Sequence, residues 1–243
     1  MFQNVWPRVM SAASGVLLGS LALIPSAIAL TPEQVAEKLA RIPVFAMGVA
    51  ESNDSFKFLK EPLINPDGQP VTNESGQPVT IARVFFNGQA AQAAFESQKD
   101  QVPSFPANVE VLRLPLGVVY QFRQQNPDQN LLILPDENQV AEAVNLLQQQ
   151  GRDVENWVGV PVFFAQYQGP DGELRDTPWM FFDYQQLQQN LPQIRAALSE
   201  SNPELANTQF QSTVVPLGWL MERITASSDP SMEILQFVLF PPR

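Results

Sequence analysis

Neither cysteine nor histidine occurs in the 243 residues. Without cysteine there is no disulfide framework and no thiol for an oxidising compartment to damage, so stability has to come from burial. Without either residue the usual zinc and copper sites, the Ser-His-Asp triad and the Cys-His pair are all excluded. Positive charge is also scarce. Fourteen Lys and Arg face 25 Asp and Glu, for a net charge of −11, which repels any partner presented through its phosphates and makes nucleic acid and bare anionic lipid poor partners. Only 16% of residues are charged, yet 44% are hydrophobic and 22 are proline. That balance describes a much-turned folded chain with an uncharged polar surface, and not a disordered one.

Carboxylates are the remaining chemical candidates, and local structure accounts for them. Asp67 and Asp171 stand in Asp-Gly turns, while Asp136 and Asp183 stand at expected helix starts. No D-x-D-x-D-G loop occurs, and the stretch Glu51 to Ser55 is too sparse for a calcium loop. No catalytic residue, metal or cofactor is expected, and the chain does not read as an enzyme.

Long apolar runs are confined to the leader MFQNVWPRVMSAASGVLLGSLALIPSAIAL. Arg8 is its only charge, and an apolar stretch from Gly15 to Ile24 precedes Pro25 and the small-residue pattern Ala27-Ile28-Ala29. The apolar stretch is about ten residues against the roughly 20 that a bilayer span needs, so residues 1–29 read as a secretory signal cleaved between Ala29 and Leu30. Its removal takes away Arg8 and no acid, moving the net charge from −11 to −12.

The mature chain says most things twice. Glu33–Leu39 (EQVAEKL) is echoed by Asn138–Val144 (NQVAEAV), Ile42–Phe45 (IPVF) by Val160–Phe163 (VPVF), and Pro66–Pro70 (PDGQP) by Pro170–Leu174 (PDGEL). In the same order Arg83–Ala91 (RVFFNGQAA) is echoed by Trp179–Leu187 (WMFFDYQQL), Leu114-Pro115-Leu116-Gly117 by Val215-Pro216-Leu217-Gly218, and Leu131–Pro135 (LLILP) by Phe237–Pro241 (FVLFP). The order identifies an internal duplication, with one unit over 30–135 and a second over 136–243.

Each unit reads as the same succession. An amphipathic helix capped by Thr31 or Asp136 leads into a Pro-Val-Phe strand, a glycine hairpin, and a strand carrying Phe85-Phe86 or Phe181-Phe182. A helix capped by Asn87 or Asp183 follows. It presents Ala90, Ala91, Ala94 and Phe95 in the first unit, and Tyr184, Leu187, Leu191 and Ile194 in the second, where Pro192 should bend it. Next comes a strand (Val109 and Val111; Gln211, Thr213 and Val215) that a proline ends by removing a ladder donor, and a glycine turns the chain into a helix. A last strand closes the unit. The fold class is α+β: two pseudo-symmetric tandem units, each a small antiparallel or mixed sheet with flanking helices.

Two differences between the units stand out. Glu51 to Thr80 contains GQPVT twice and reads as a lengthened hairpin arm. All three tryptophans of the mature chain, Trp157, Trp179 and Trp219, fall in the second unit, beside Phe163 and Phe164. Such residues build cores and also recognition surfaces.

The duplicated order of a (V/I)-P-V-F strand, glycine hairpin, V-F-F strand, amphipathic helix and Pro-Leu-Gly corner resembles the family of the twenty-two-kilodalton component of the chloroplast inner-envelope (Tic) translocon, over essentially the whole mature chain. With a bacterial-type signal the resemblance is to a cyanobacterial member. It implies a two-lobed, pseudo-twofold body with apolar pockets, no enzymatic activity, and a periplasmic address with thylakoid association as a second possibility. It also implies work in protein transport or as a chaperone in outer-membrane biogenesis. The long arm departs from the compact unit.

The function expected is therefore a periplasmic chaperone or transport factor that covers apolar segments of unfolded preproteins or outer-membrane precursors. Outer-membrane assembly or translocon components would be further partners. The expected client-binding set is Phe163, Phe164, Trp179 and Phe181, joined by Phe85 and Phe86, because alternation turns only half of a strand's side chains to the core. The alternative is an envelope protein, structural or binding a small ligand in an aromatic pocket. A broad open apolar surface favours the first reading, and a closed cavity with convergent polar groups the second.

Overall fold

The structure, a computed structural model, describes residues 29–52, 55–169, 171–226 and 234–238. The expected signal peptide, but for Ala29, and the end of the last echo (Leu239–Pro241) lie outside the described residues. The first half runs α1 (Pro32–Leu39), β1 (Pro43–Ser52), β2 (Ser55–Phe58), β3 (Glu61–Pro62), β4 (Thr80–Phe85), α2 (Gly88–Gln101), β5 (Glu110–Pro115), α3 (Leu116–Gln125) and β6 (Asn130–Leu134). The second runs α4 (Glu137–Gln149), β7 (Pro161–Gln168), β8 (Leu174–Asp176), β9 (Trp179–Phe181), α5 (Tyr184–Ser201), a 3-10 turn (Pro203–Asn207), β10 (Phe210–Pro216), α6 (Leu217–Ala226) and β11 (Gln236–Val238).

Helix starts follow the expected caps. Thr31 and Gln34 form a capping box, and Asn87, Asp136 and Asp183 each accept hydrogen bonds from amides of the first turn. Asn87 Nδ2 also donates to Asp136 Oδ2 at 2.6 Å, so the caps of α2 and α4 hold each other. Helix α5 runs on through Pro192.

Both sheets are mixed and share one connectivity. β1 pairs antiparallel with β5 along one edge, and with β4 and then β2 along the other; β6 lies parallel to β4. β7 likewise takes β10 on one edge, β9 and then β8 on the other, and β11 lies parallel to β9. The fold is α+β with mixed sheets flanked by helices. The corner prolines coincide: Pro43 faces Pro115 and Pro161 faces Pro216. Leu116 N donates to Ile42 O at 2.7 Å and Leu217 N to Val160 O at 2.8 Å. Each proline pair therefore occupies a non-hydrogen-bonded ladder position and removes no donor from it, a correction to the expectation that proline ends the strand that way. What proline supplies is the fixed φ leading straight into α3 and α6.

The pairing also corrects the last echo. Leu132 faces Arg83 and Gln236 faces Trp179, while Phe45–Phe85 and Phe163–Phe181 are equivalent pairs. β11 therefore matches β6 with Leu235 on Leu131 and Phe237 on Ile133, two residues away from the alignment LLILP and FVLFP suggest.

Strand alternation sorts three cores. Val44 and Ala46 of β1, with Val162 and Phe164 of β7, face one central core that also takes Leu39, Leu116, Val119, Leu220 and Ile224. The opposite face of β1 packs Met47 against α2 with Phe85 and Ala91, while Ala90 is exposed. The opposite face of β7 packs Phe163 and Ala165 against α4 and α5. Phe86 and Phe182, with ring centroids 5.1 Å apart, join the halves.

The arm from Glu51 to Thr80 contains two copies of one turn. Asn65 Oδ1 accepts the amides of Asp67 and Gln69, and Asn73 Oδ1 those of Ser75 and Gln77, with Gly68 and Gly76 at positive φ. Leu63, Val71 and Val79 close a ring of backbone hydrogen bonds, each donating one and accepting one. The doubled GQPVT thus builds two small antiparallel hairpins, one closed by the Ile64–Pro70 bridge and the other by the Thr72–Pro78 bridge. Glu61 ties the base of the arm by accepting from Arg83 Nη2 at 2.5 Å and from Gln98 Nε2.

The echoed leading helices do not occupy equivalent places. α1 packs on α3 and α6 with Val35, Ala36 and Leu39 buried, and a Cβ on Gly117 would stand 2.1 Å from Ala36 O. α4 carries the echoed Val140, Ala141 and Val144, yet it buries Ala143, Leu146 and Leu147 against the outer face of the second sheet. Gly117 is therefore a close-approach glycine inside a helix, whereas a Cβ on Gly218 would meet nothing within 4 Å. Neither makes the tight turn expected of it.

Candidate apolar binding site

Phe163, Phe164, Phe181 and Phe85 are 0, 4, 1 and 6% exposed, so none presents an open surface. They also divide among the cores: Phe164 faces the central one, Phe163 and Phe181 the one under α4 and α5, and Phe85 the one under α2. Trp179 and Phe86 are half-buried. Alternation alone leaves one face of each strand to solvent. Here both faces of β1 and β7 are covered, because each sheet lies between the central core and an outer helix.

Exposed apolar side chains gather elsewhere in the second half. A trough of about 630 Å³ runs between β8, the start of β9 and α6, with Phe164 and Met180 in its floor. Its walls hold Leu174, Trp219 and Ile234, which are 63, 46 and 59% exposed. The guanidinium of Arg223 lies 5.3 Å from the centre of the Trp219 ring and props it upright. Polar groups at the rim are engaged with one another: Gln166 Nε2 donates to Asp176 Oδ1 at 2.7 Å, and Arg175 pairs with Asp171.

The first half shows what the trough would be if filled. Pairing places Phe56 and Phe58 of β2 where β8 has Leu174 and Asp176, and the corners place Val118 and Phe122 where α6 has Trp219 and Arg223. Phe56, Phe58 and Phe122 pack on one another, with the rings of Phe58 and Phe122 edge-on at 4.9 Å, and leave a recess of only about 250 Å³. Replacing those rings by Leu174, Asp176 and Arg223 opens the trough. The sequence signal for this is the replacement of three phenylalanines by a leucine and two charged residues at equivalent places, which a count of tryptophans does not register.

A second apolar recess of about 670 Å³ lies outside the second sheet, where Trp179, Phe181 and Val238 meet the α5 face of Ile194 and Ala197. It holds two of the expected residues, Trp179 and Phe181. Among the described residues no helix is long and apolar enough to cross a membrane.

A family model described as the Tic22-like family matches residues 3–242. Among solved structures, Tic22 of Anabaena, titled a protein-transport protein, is 22% identical at a TM-score of 0.62, over 87% of this chain and 94% of that one. Tic22 from Plasmodium falciparum is 16% identical at a TM-score of 0.48, over 84% and 90%. The first likeness is one of fold, and the second carries no argument here. No curated protein matches.

Proposed function

Because the chain belongs to the Tic22-like family, we propose that it is a non-enzymatic protein-transport factor, an exported chaperone that covers apolar segments of unfolded precursors, outer-membrane proteins among them. The observation that carries this reading is the open trough. A soluble protein seldom keeps Leu174, Trp219 and Ile234 exposed around one concavity unless something is bound there. Side chains of an extended or partly collapsed client would rest on Phe164 and Met180 and displace water from the Trp219 face. The Trp179–Phe181 recess supplies a second station on the opposite face of the sheet.

Reversible apolar contact also fits the charge. The net charge, −11 in the full chain and −12 without residues 1–29, keeps copies of the chain apart while apolar surface stays open. The expected signal peptide would deliver the chain to the periplasm. A small-ligand pocket is less well supported, because Gln166 and Arg175 at the rim are engaged with Asp176 and Asp171, although the buried Thr177 hydroxyl in the lining has no hydrogen-bond partner.

The test is to dilute a denatured outer-membrane β-barrel precursor into buffer without nucleotide, with and without the mature chain. Light scattering and tryptophan emission are followed together. Delayed aggregation with a blue shift that Trp219→Phe removes is expected, and undelayed aggregation at stoichiometric excess would sink the proposal.

A further inference from the structure

Among the described residues the duplication leaves one seat empty. α1 lies against α3 and α6, its Ala36 carbonyl in the space that Gly117 clears and its Lys38 Nζ donating to Leu235 O at 2.9 Å. The pairing registers make Gly218 the counterpart of Gly117 and Leu131 that of Leu235. The place related to that of α1 should therefore border Gly218, Leu131 and Ile133. A cavity of about 430 Å³ is found there, lined by Gly218 and Met221 of α6, Val119 of α3, and Leu131 and Ile133 of β6. A Cβ on Gly218 would meet nothing within 4 Å. The helix that the echo assigns to this seat, α4, is docked on the outer face of the second sheet.

From this we infer that the cavity beside Gly218 is a docking seat for an amphipathic helix of the α1 pattern, carried by a partner polypeptide. The required face is the one α1 shows: an apolar residue and a small one in succession, like Val35-Ala36, and a second apolar residue three further on, like Leu39. The small residue lets the two backbones approach across Gly218, as Ala36 does across Gly117. The residue before the second apolar one should be a cation. Lys38 meets a strand-edge carbonyl, and the matching carbonyl of Leu131 lies on the edge of β6 away from β4; Glu222 and Arg123 both line the seat, so the carbonyl and not the charge of the lining carries this requirement. The seat is continuous with the α1 interface, since Leu39 lines both. It lies across α6 from the Trp219 trough. The inference rests on the proposed function only in taking the partner to be a polypeptide.

The probe is a fluorescein-labelled peptide of residues 30–41 held helical by a lactam between Glu33 and a lysine introduced as Glu37→Lys. Anisotropy is read against the mature chain, against Gly218→Phe, which fills open space, and with a Lys38→Glu peptide. Saturable binding is expected, weakened at least about tenfold by either change. Because the chain has no cysteine, a peptide with Ala36→Cys activated as its 2-pyridyl disulfide should exchange with the thiolate of Gly218→Cys, forming the mixed disulfide and releasing pyridine-2-thione, and should not do so with the exposed control Gln125→Cys. Equal binding to wild type and Gly218→Phe, or cross-linking at both positions alike, overturns the inference whatever the precursor assay shows. Self-association that Gly218→Phe abolishes, with no peptide bound, would also overturn it by placing a second copy in the seat. The aggregation assay can fail while the peptide still binds, so the two failures are read separately.

Discussion

One methyl group at Gly117 should do the opposite of one methyl group at Gly218. Both glycines stand at the second position of a helix that follows a Pro-Leu corner, so repeat logic alone would assign them one role. In the structure a Cβ on Gly117 would lie 2.1 Å from Ala36 O, 3.0 Å from Ala36 C and 3.2 Å from Ala40 N, all backbone atoms that no rotamer change can clear. α1 has to retreat by roughly 1 Å, and overpacking of that kind costs about 1–3 kcal/mol. The ceiling is complete undocking of α1, which exposes Val35 and Leu39, each 1% exposed in the native state and worth about 1.5–3 kcal/mol when buried. At Gly218 the added methyl meets open space, and replacing a helical glycine by alanine gains about 0.5–1 kcal/mol. Urea unfolding of the mature chain, followed by far-ultraviolet circular dichroism, should therefore show a lower midpoint for Gly117→Ala and an unchanged or higher one for Gly218→Ala. Shifts of the same sign and similar size would refute both the seating of α1 and the emptiness of its counterpart.

Three further outcomes are expected. Asp136→Ala removes the cap of α4 and the partner of Asn87 together, and should cost about 1–2 kcal/mol in the same unfolding assay. Intact-mass measurement of the exported protein should place its first residue at Leu30, and a chain beginning at Met1 in the membrane fraction would contradict the signal reading. The Asp171 carboxyl is held below the usual range, chiefly by the Glu173 amide it accepts from and next by Arg175. A depressed carboxyl contributes stability above its unfolded pKa and loses it as pH falls through the folded value. The side-chain carboxyl resonance of Asp171 should then stay fixed from neutral pH down to the ordinary carboxylate range and move only in more acid solution.

Much of this was legible from local chemistry. Thr31, Asn87, Asp136 and Asp183 cap helices because their side chains reach free amides within three residues, an interaction complete within the segment. The Asp-Gly turns are legible for the same reason, glycine adopting at no steric cost the positive φ found at Gly68 and Gly172. What stayed hidden depends on partners distant in sequence. EQVAEKL and NQVAEAV are near copies, and nothing in either string shows that one helix enters the central core while the other docks outside. The burial of Phe163 and Phe181 likewise follows from α4 and α5 covering a strand face that alternation alone would leave to solvent. The trough became visible only when pairing set Phe56, Phe58 and Phe122 against Leu174, Asp176 and Arg223.

The central claim, that this open trough is the surface that meets clients, is tested most directly by spoiling it without touching the core. Leu174, Trp219 and Ile234 are all substantially exposed, so the triple change Leu174→Glu, Trp219→Glu and Ile234→Glu should leave the unfolding free energy from urea titration within about 1 kcal/mol of wild type. Light scattering by a diluted β-barrel precursor should rise slowly with wild-type protein and clearly faster with the triple variant, which keeps only the Trp179–Phe181 recess. Equal protection by the two proteins would contradict the account.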